Sequence, residues 1–156
     1  MMKLFLLTSL LVYSLFAEVK GLKEYDLAMK YLAEQNYKAA LKPLQTAAEN
    51  NISNAQYNLA LMYYRGDGVQ QDVKKSAEWL EKAAKNGHER AIANIGRIYM
   101  QLLDFKKARH WLEINVKNGD KEAELLLKEI EAAEQRLALL KPLKLLTQRN
   151  NMPNNN

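Results

Sequence analysis

The chain has 156 residues, 48% apolar and 26% charged, with a formal net charge of +5 at pH 7. That is enough apolar chain for one compact domain or a short repeat array with a continuous core, and it excludes a disordered polymer. Three Pro, six Gly and a predominance of Ala, Leu, Lys, Glu, Gln and Asn leave too few β-branched residues for a sheet, so the expected fold class is all-α.

Cys is absent, which excludes a disulfide framework, a lipid-attachment cysteine and any thiolate metal or redox site. The basic residues are scattered among acidic ones rather than clustered on one face or interleaved with stacking aromatics. This argues against a nucleic-acid partner and leaves a weak attraction to acidic proteins or anionic envelope surfaces.

In chain order, the first feature is Lys3 followed by an uncharged run from Leu4 to Ala17, which has the form of a secretory signal peptide. The run falls short of the roughly 20 residues that span a bilayer, so cleavage near Ala17 is expected in preference to a permanent anchor. Leu15 is larger than the small residue preferred at its place in the A-x-A pattern. Residues 1–17 are therefore assigned to a signal peptide, and the mature chain to the periplasm or the secreted fraction.

The next feature is an internal repeat. The segment from Lys75 to Gly87 recurs 32 residues later, from Lys107 to Gly119, with Lys75, Trp79, Leu80, Glu81, Lys85, Asn86 and Gly87 matched by identical residues. A fainter copy lies 36 residues upstream of the first, where Ala40, Leu44, Ala47, Ala48 and Asn50 hold the same register and Asn51 replaces the turn glycine. Asn is the next best residue for the left-handed conformation that ends a helix.

Three hairpins follow, each a helix A, a turn and a helix B: Leu22 to Glu34 with Tyr37 to Asn50, Asn54 to Arg65 with Val73 to Asn86, and Arg90 to Leu102 with Phe105 to Asn118. The units span 22–51, 54–87 and 90–119. Ala28, Ala60 and Gly96 fall where paired helices approach closely, and Leu27, Leu59 and Ile95 supply the adjacent knobs. In the second unit Gly66-Asp67-Gly68-Val69 offers two glycines for positive φ and an apolar Val to pin the loop. A last helix over 121–140 sets Ala123, Leu127, Ile130, Leu137 and Leu140 on one stripe, as befits an end-cap closing the 22–140 solenoid. Lys141-Pro142 should then break the helix, and the Asn-rich residues through 156 read as a flexible tail over 141–156.

These residues carry a family resemblance. The pattern Ala55-x3-Leu59-Ala60-x2-Tyr63-x2-Gly66-x-Gly68-Val69-x2-Asp72-x2-Lys75-Ser76-x2-Trp79-x2-Lys82-Ala83-Ala84-x2-Gly87 resembles a Sel1-like repeat, a relative of the tetratricopeptide hairpin, in its exported bacterial type. Ala60 and Ser76 stand where the pattern usually has Gly and Ala, both small-for-small changes. The resemblance implies a short α/α solenoid that works by holding other proteins.

The search for chemistry is brief. Beyond Ala17 the only serines are Ser53 and Ser76, and neither has Lys three residues on, so the chain has no Ser-x-x-Lys nucleophile motif there. His88 and His110 are the only histidines and lack a second ligand in metal spacing. Phosphate loops, dinucleotide fingerprints and metalloprotease helices are missing, so neither cofactor nor metal is expected and the protein reads as a non-enzyme. The alternative is a β-lactam-directed or cell-wall-directed hydrolase, as described for related cysteine-rich Sel1-like proteins, although the cysteine pairs that mark that group are absent here.

Trp79 and Trp111 occupy the repeat's own Trp position and read as seam-filling core, as do Tyr63 and Tyr99. The binding surface is expected on the A helices, whose non-core positions project to one face. The register gives Tyr25, Met29 and Leu32, then Tyr57, Leu61, Tyr64 and Arg65, then Ala93, Arg97 and Met100. From this set the expected partner-binding residues are Tyr57, Leu61, Tyr64, Arg65, Arg97 and Met100. Such an apolar groove, edged by Arg65, Arg90 and Arg97, suits a protein or peptide partner with apolar and acidic anchors.

Overall fold

The computed structural model describes the backbone of residues 21–150 and the side chains of residues 21–140. The expected signal peptide therefore lies outside the described residues, as does the end of the Asn-rich tail. Seven helices and no strand make up the described part. Helix α1 covers 21–33, and there follow α2 (Tyr37–Glu49), α3 (Ser53–Arg65), α4 (Val73–Lys85), α5 (Glu89–Gln101), α6 (Phe105–Lys117) and α7 (Lys121–Asn150). The first six begin and end within one residue of the bounds expected from the repeat.

Each B helix ends by the same device. Asn51, Gly87 and Gly119 adopt positive φ, at 63°, 78° and 87°. The following amides of Ile52, His88 and Asp120 reach back to the carbonyls of Ala47, Ala83 and Asn115, at 3.2, 2.9 and 3.0 Å. This is the Schellman closure that satisfies the orphan carbonyls of a helix end, and Asn51 performs it where the other two units have glycine. At the start of the B helices Asn36, Asp72 and Asp104 accept from the third amide on.

Two apolar clusters run through the stack. One gathers Ala28, Leu44, Ala47, Ala48, Ala55, Leu59 and Met62 from α1 to α3. The other joins Ala60, Leu80, Ile95, Tyr99, Trp111, Leu112, Ala123 and Ile130 from α3 to α7. Trp79 packs partly buried against both, with the Lys82 ammonium 3.9 Å from its ring centroid, while Trp111 is buried outright. Both tryptophans thus serve as packing elements.

Close approach is visible at two glycines. A Cβ on Gly96 would lie 2.8 Å from two Leu112 side-chain carbons, so α5 and α6 touch there. Gly68, at φ 69°, would collide with the Tyr37 backbone at 2.7 Å, which fixes the second unit's longer loop against the start of α2.

Three expectations need correcting. Leu27 is 43% exposed and is no knob, because the unit's inward position on α1 is taken by Ala28, which is fully buried. Helix α7 does not break at Lys141-Pro142 but continues to Asn150. A proline costs a helix one hydrogen bond and some steric strain, and flanking helix formers carry the chain past it; α2 likewise holds Pro43 in its interior. The inward stripe of α7 also ends early: Ala123 and Ile130 are fully buried, whereas Leu137 and Leu140 are about half exposed, at 52% and 51%, since nothing described covers the distal turns.

Candidate functional site

The A helices α1, α3 and α5 line two neighbouring depressions. The first, about 350 Å³, is bounded by Tyr57, Leu61, Tyr64 and Arg65 of α3, Ser76 and Leu80 of α4, and Asn94, Arg97 and Ile98 of α5. The α3 residues recur at intervals of four and three, with Arg65 one place further on, so one face of that helix forms a wall. The second depression, about 570 Å³, is more polar, lies among Tyr25, Met29, Asn58, His88 and Arg90, and shares Tyr57 with the first.

Of the six residues expected to bind a partner, five therefore border one groove. Met100 does not; it packs against the core beside Tyr99 and Trp111. Leu32 also belongs to the core, and Ala93 borders a separate depression with Ile92 and Asn115. Arg90 edges the second depression rather than the first.

Arg97 was expected to offer a free cation. It is instead paired with Glu122 of α7 at 2.5 Å, both side chains being substantially exposed. An exposed pair of this kind contributes little to stability, about 0 to 1 kcal/mol, so a competing carboxylate can displace Glu122 at small cost. Arg65 has no ion-pair partner among the described residues.

Two participants escaped sequence reasoning. His88 caps α5, its Nδ1 accepting from the Ala91 amide at 3.2 Å, and its ring stacks on Tyr57 with centroids 4.2 Å apart. Burial lowers its pKa, with the nearby Arg90 charge acting the same way, so the neutral, cap-competent ring is favoured. The stack fixes the ring of Tyr57, the residue common to both depressions. Ser76 is the second: its Oγ is fully buried at the groove floor and has no hydrogen-bond partner. A buried hydroxyl left unpaired costs about 1 to 3 kcal/mol. The only available signal was that Ser76 replaces the repeat's usual Ala.

Ser76 has no base to activate it, and His110 is exposed, edge-on to Trp111. Among the described residues no group of three His, Cys, Asp or Glu side chains is placed to hold a metal ion. No helix of the described residues is long and apolar enough to cross a membrane.

Comparison with known proteins agrees with this architecture. Residues 53–88 and 90–120 match the Sel1 repeat. Over 57 residues, 36% of this chain, the sequence is 35% identical to the exopolysaccharide production negative regulator of Rhizobium meliloti (strain 1021), of which the match covers 21%. The crystal structure of a Sel1 repeat protein from Oxalobacter formigenes superposes with a TM-score of 0.60 at 27% identity, over 70% of this chain and 48% of that one. The chain thus spans about a fifth of the curated relative and about half of the solved one. Sel1 repeats generally serve protein–protein interaction and are typically non-catalytic scaffolds. With two matched repeats and a solved Sel1 neighbour, the chain carries Sel1 repeats and fits a Sel1-like repeat protein.

Proposed function

We propose that this protein is a non-catalytic adaptor of the bacterial cell envelope that holds a helix or peptide of a partner protein on its A-helix face. The observation that carries the reading is the groove of Tyr57, Leu61, Tyr64, Arg65 and Arg97, which combines half-exposed aromatic and aliphatic walls with two guanidinium groups at its rim. Aromatic and Arg residues are the usual anchors of protein interfaces, and this pattern fits a segment carrying apolar residues and a carboxylate. Export rests on Lys3 and the apolar run to Ala17. That the rhizobial relative is named as a regulator, not as an enzyme, supports the non-catalytic reading.

Site-directed photo-cross-linking in intact cells tests it. A photoreactive residue at Leu61 should capture one discrete protein from the envelope fraction, and the same probe at the exposed Glu78 should not. Equal capture from both positions, capture of cytosolic proteins alone, or no capture at Leu61 would refute the groove or its compartment.

A further inference from the structure

The outer face of α7 carries a pattern that the groove does not use. On its inner face Ala123 and Ile130 are fully buried, and Leu126 and Leu127 pack partly buried against the core. Arg109 of α6 fastens one flank through Glu131 and Glu134, at 3.7 and 2.7 Å. Away from both runs a second stripe, Leu125, Glu129, Ala132, Arg136 and Leu139, whose five residues are all exposed, Leu125 at 60% and Leu139 at 71%. Their spacing alternates four and three, the spacing of a coiled-coil seam. Neither Glu129 nor Arg136 has an ion-pair partner among the described residues.

The stripe is self-complementary when reversed. In an antiparallel pair of α7 helices centred on Ala132, Leu125 meets the second copy's Leu139 and Glu129 meets its Arg136. Ala132 then meets its own counterpart, where a small side chain lets two helices approach closely. A parallel pair would set Glu129 against Glu129 and Arg136 against Arg136, so charge selects the antiparallel form. A two-fold axis requires this reciprocity, in which residue i contacts j and j contacts i.

We infer that the exposed face of α7 is a homodimer interface, whose occupant is the α7 of a second copy lying antiparallel across Ala132. Helix α7 extends to Asn150, so helical backbone is present over the whole seam. The seam is short compared with the roughly 1,200 Å² that stable interfaces bury, so the dimer should form reversibly, with a dissociation constant of micromolar order. The groove beside Tyr57 is built by α3, α4 and α5, so the two surfaces are separate and this inference does not depend on the proposed function.

The absence of Cys makes the test direct. An Ala132→Cys variant of the full chain should give a disulfide-linked dimer on mild oxidation, and a Glu113→Cys variant on the exposed side of α6 should not. Sedimentation velocity should show mass rising towards a dimer across micromolar concentrations. Glu129→Arg and Arg136→Glu should each weaken the dimer at least tenfold, and the double exchange should restore it. All these positions are solvent-exposed, so unchanged thermal melting confirms that the variants fold. A monomer at every concentration, equal cross-linking of the control cysteine, or a dimer indifferent to both charge reversals would overturn the inference. So would capture by anionic vesicles that Leu139→Glu abolishes while the free chain stays monomeric.

Discussion

The two seams between repeats use one scaffold and different chemistry. Between the first and second units the polar contact is a buried neutral amide: Gln56 donates to the Ala48 carbonyl at 3.0 Å and accepts from Asn86 at 2.8 Å. Between the second and third units it is ionic. Glu81 accepts from the Tyr99 hydroxyl and from Lys107 at 3.3 Å, Lys107 also donates to Tyr99 at 3.2 Å, and Lys85 holds the other carboxylate oxygen at 2.7 Å. Tyr63 occupies the same repeat position as Tyr99, yet its neighbour is only a lysine ammonium, Lys75 at 5.4 Å from the ring centroid. The repeat register thus specifies where an aromatic sits, while the residues around it decide whether its hydroxyl contributes.

The comparison can be broken at several points. The largest expected effect is Trp111→Ala, which empties a buried position of the second cluster and should cost about 3 to 5 kcal/mol by chemical denaturation. Trp79→Ala should cost less, because that ring is only partly buried. An equal or reversed order would mean that burial does not set the cost at the two ring positions.

Next come the hydroxyls. Tyr99→Phe should destabilise by about 1 to 2 kcal/mol, since it removes the hydroxyl's bonds to Glu81 and Lys107 while leaving those two charges paired with each other, whereas Tyr63→Phe should stay within about 0.5 kcal/mol of the wild type. Acidity sharpens this contrast. Burial by itself would raise the Glu81 pKa, but hydrogen bonds from Lys85, Tyr99 and Lys107 outweigh it and hold the carboxyl at about 2. The folded value lies below the ordinary 4.5, so this contribution is full above about pH 4.5 and is lost as pH falls towards about 2. Tyr99 behaves oppositely: burial and then its bond to Glu81 raise its pKa to about 12, so its contribution holds below about pH 10 and is lost as pH rises through about 12. The stability gap between wild type and Glu81→Gln should therefore narrow between about pH 4.5 and pH 2, while a Gln56→Leu gap should not change with pH. A constant Glu81→Gln gap across that window would show that the network is not electrostatic.

One further effect has the opposite sign. Ser76→Ala removes an unpaired buried hydroxyl and should stabilise the free protein by about 1 kcal/mol. A loss of stability on this change would mean that the hydroxyl already has a partner.

Much of this architecture was legible in the sequence, and what was not has a physical pattern. The echo of Lys75 to Gly87 at Lys107 to Gly119 placed six helices, because turn geometry is local and Asn51, Gly87 and Gly119 are residues that accept positive φ. The wall of Tyr57, Leu61, Tyr64 and Arg65 was legible for the same reason, as positions on one helix. Contacts between distant segments were not: no local pattern links Arg97 to Glu122, Tyr57 to His88 or Glu81 to Tyr99. Periodicity likewise marked the apolar stripe of α7 but could not say where covering helices stop, so Leu137 and Leu140 were read as buried. Pro142 was over-weighted, since one missing hydrogen bond does not end a helix that its neighbours favour.

The most direct test of the central claim is the affinity of the cross-linked partner for groove variants, measured by calorimetry beside thermal melting. Tyr64→Ala and Arg97→Ala should each weaken binding by about 2 kcal/mol, or some thirtyfold, while the melting temperature stays within a few degrees. Glu122→Gln, which frees Arg97, should tighten it. Normal binding by Tyr64→Ala and Arg97→Ala would contradict recognition through the A-helix face.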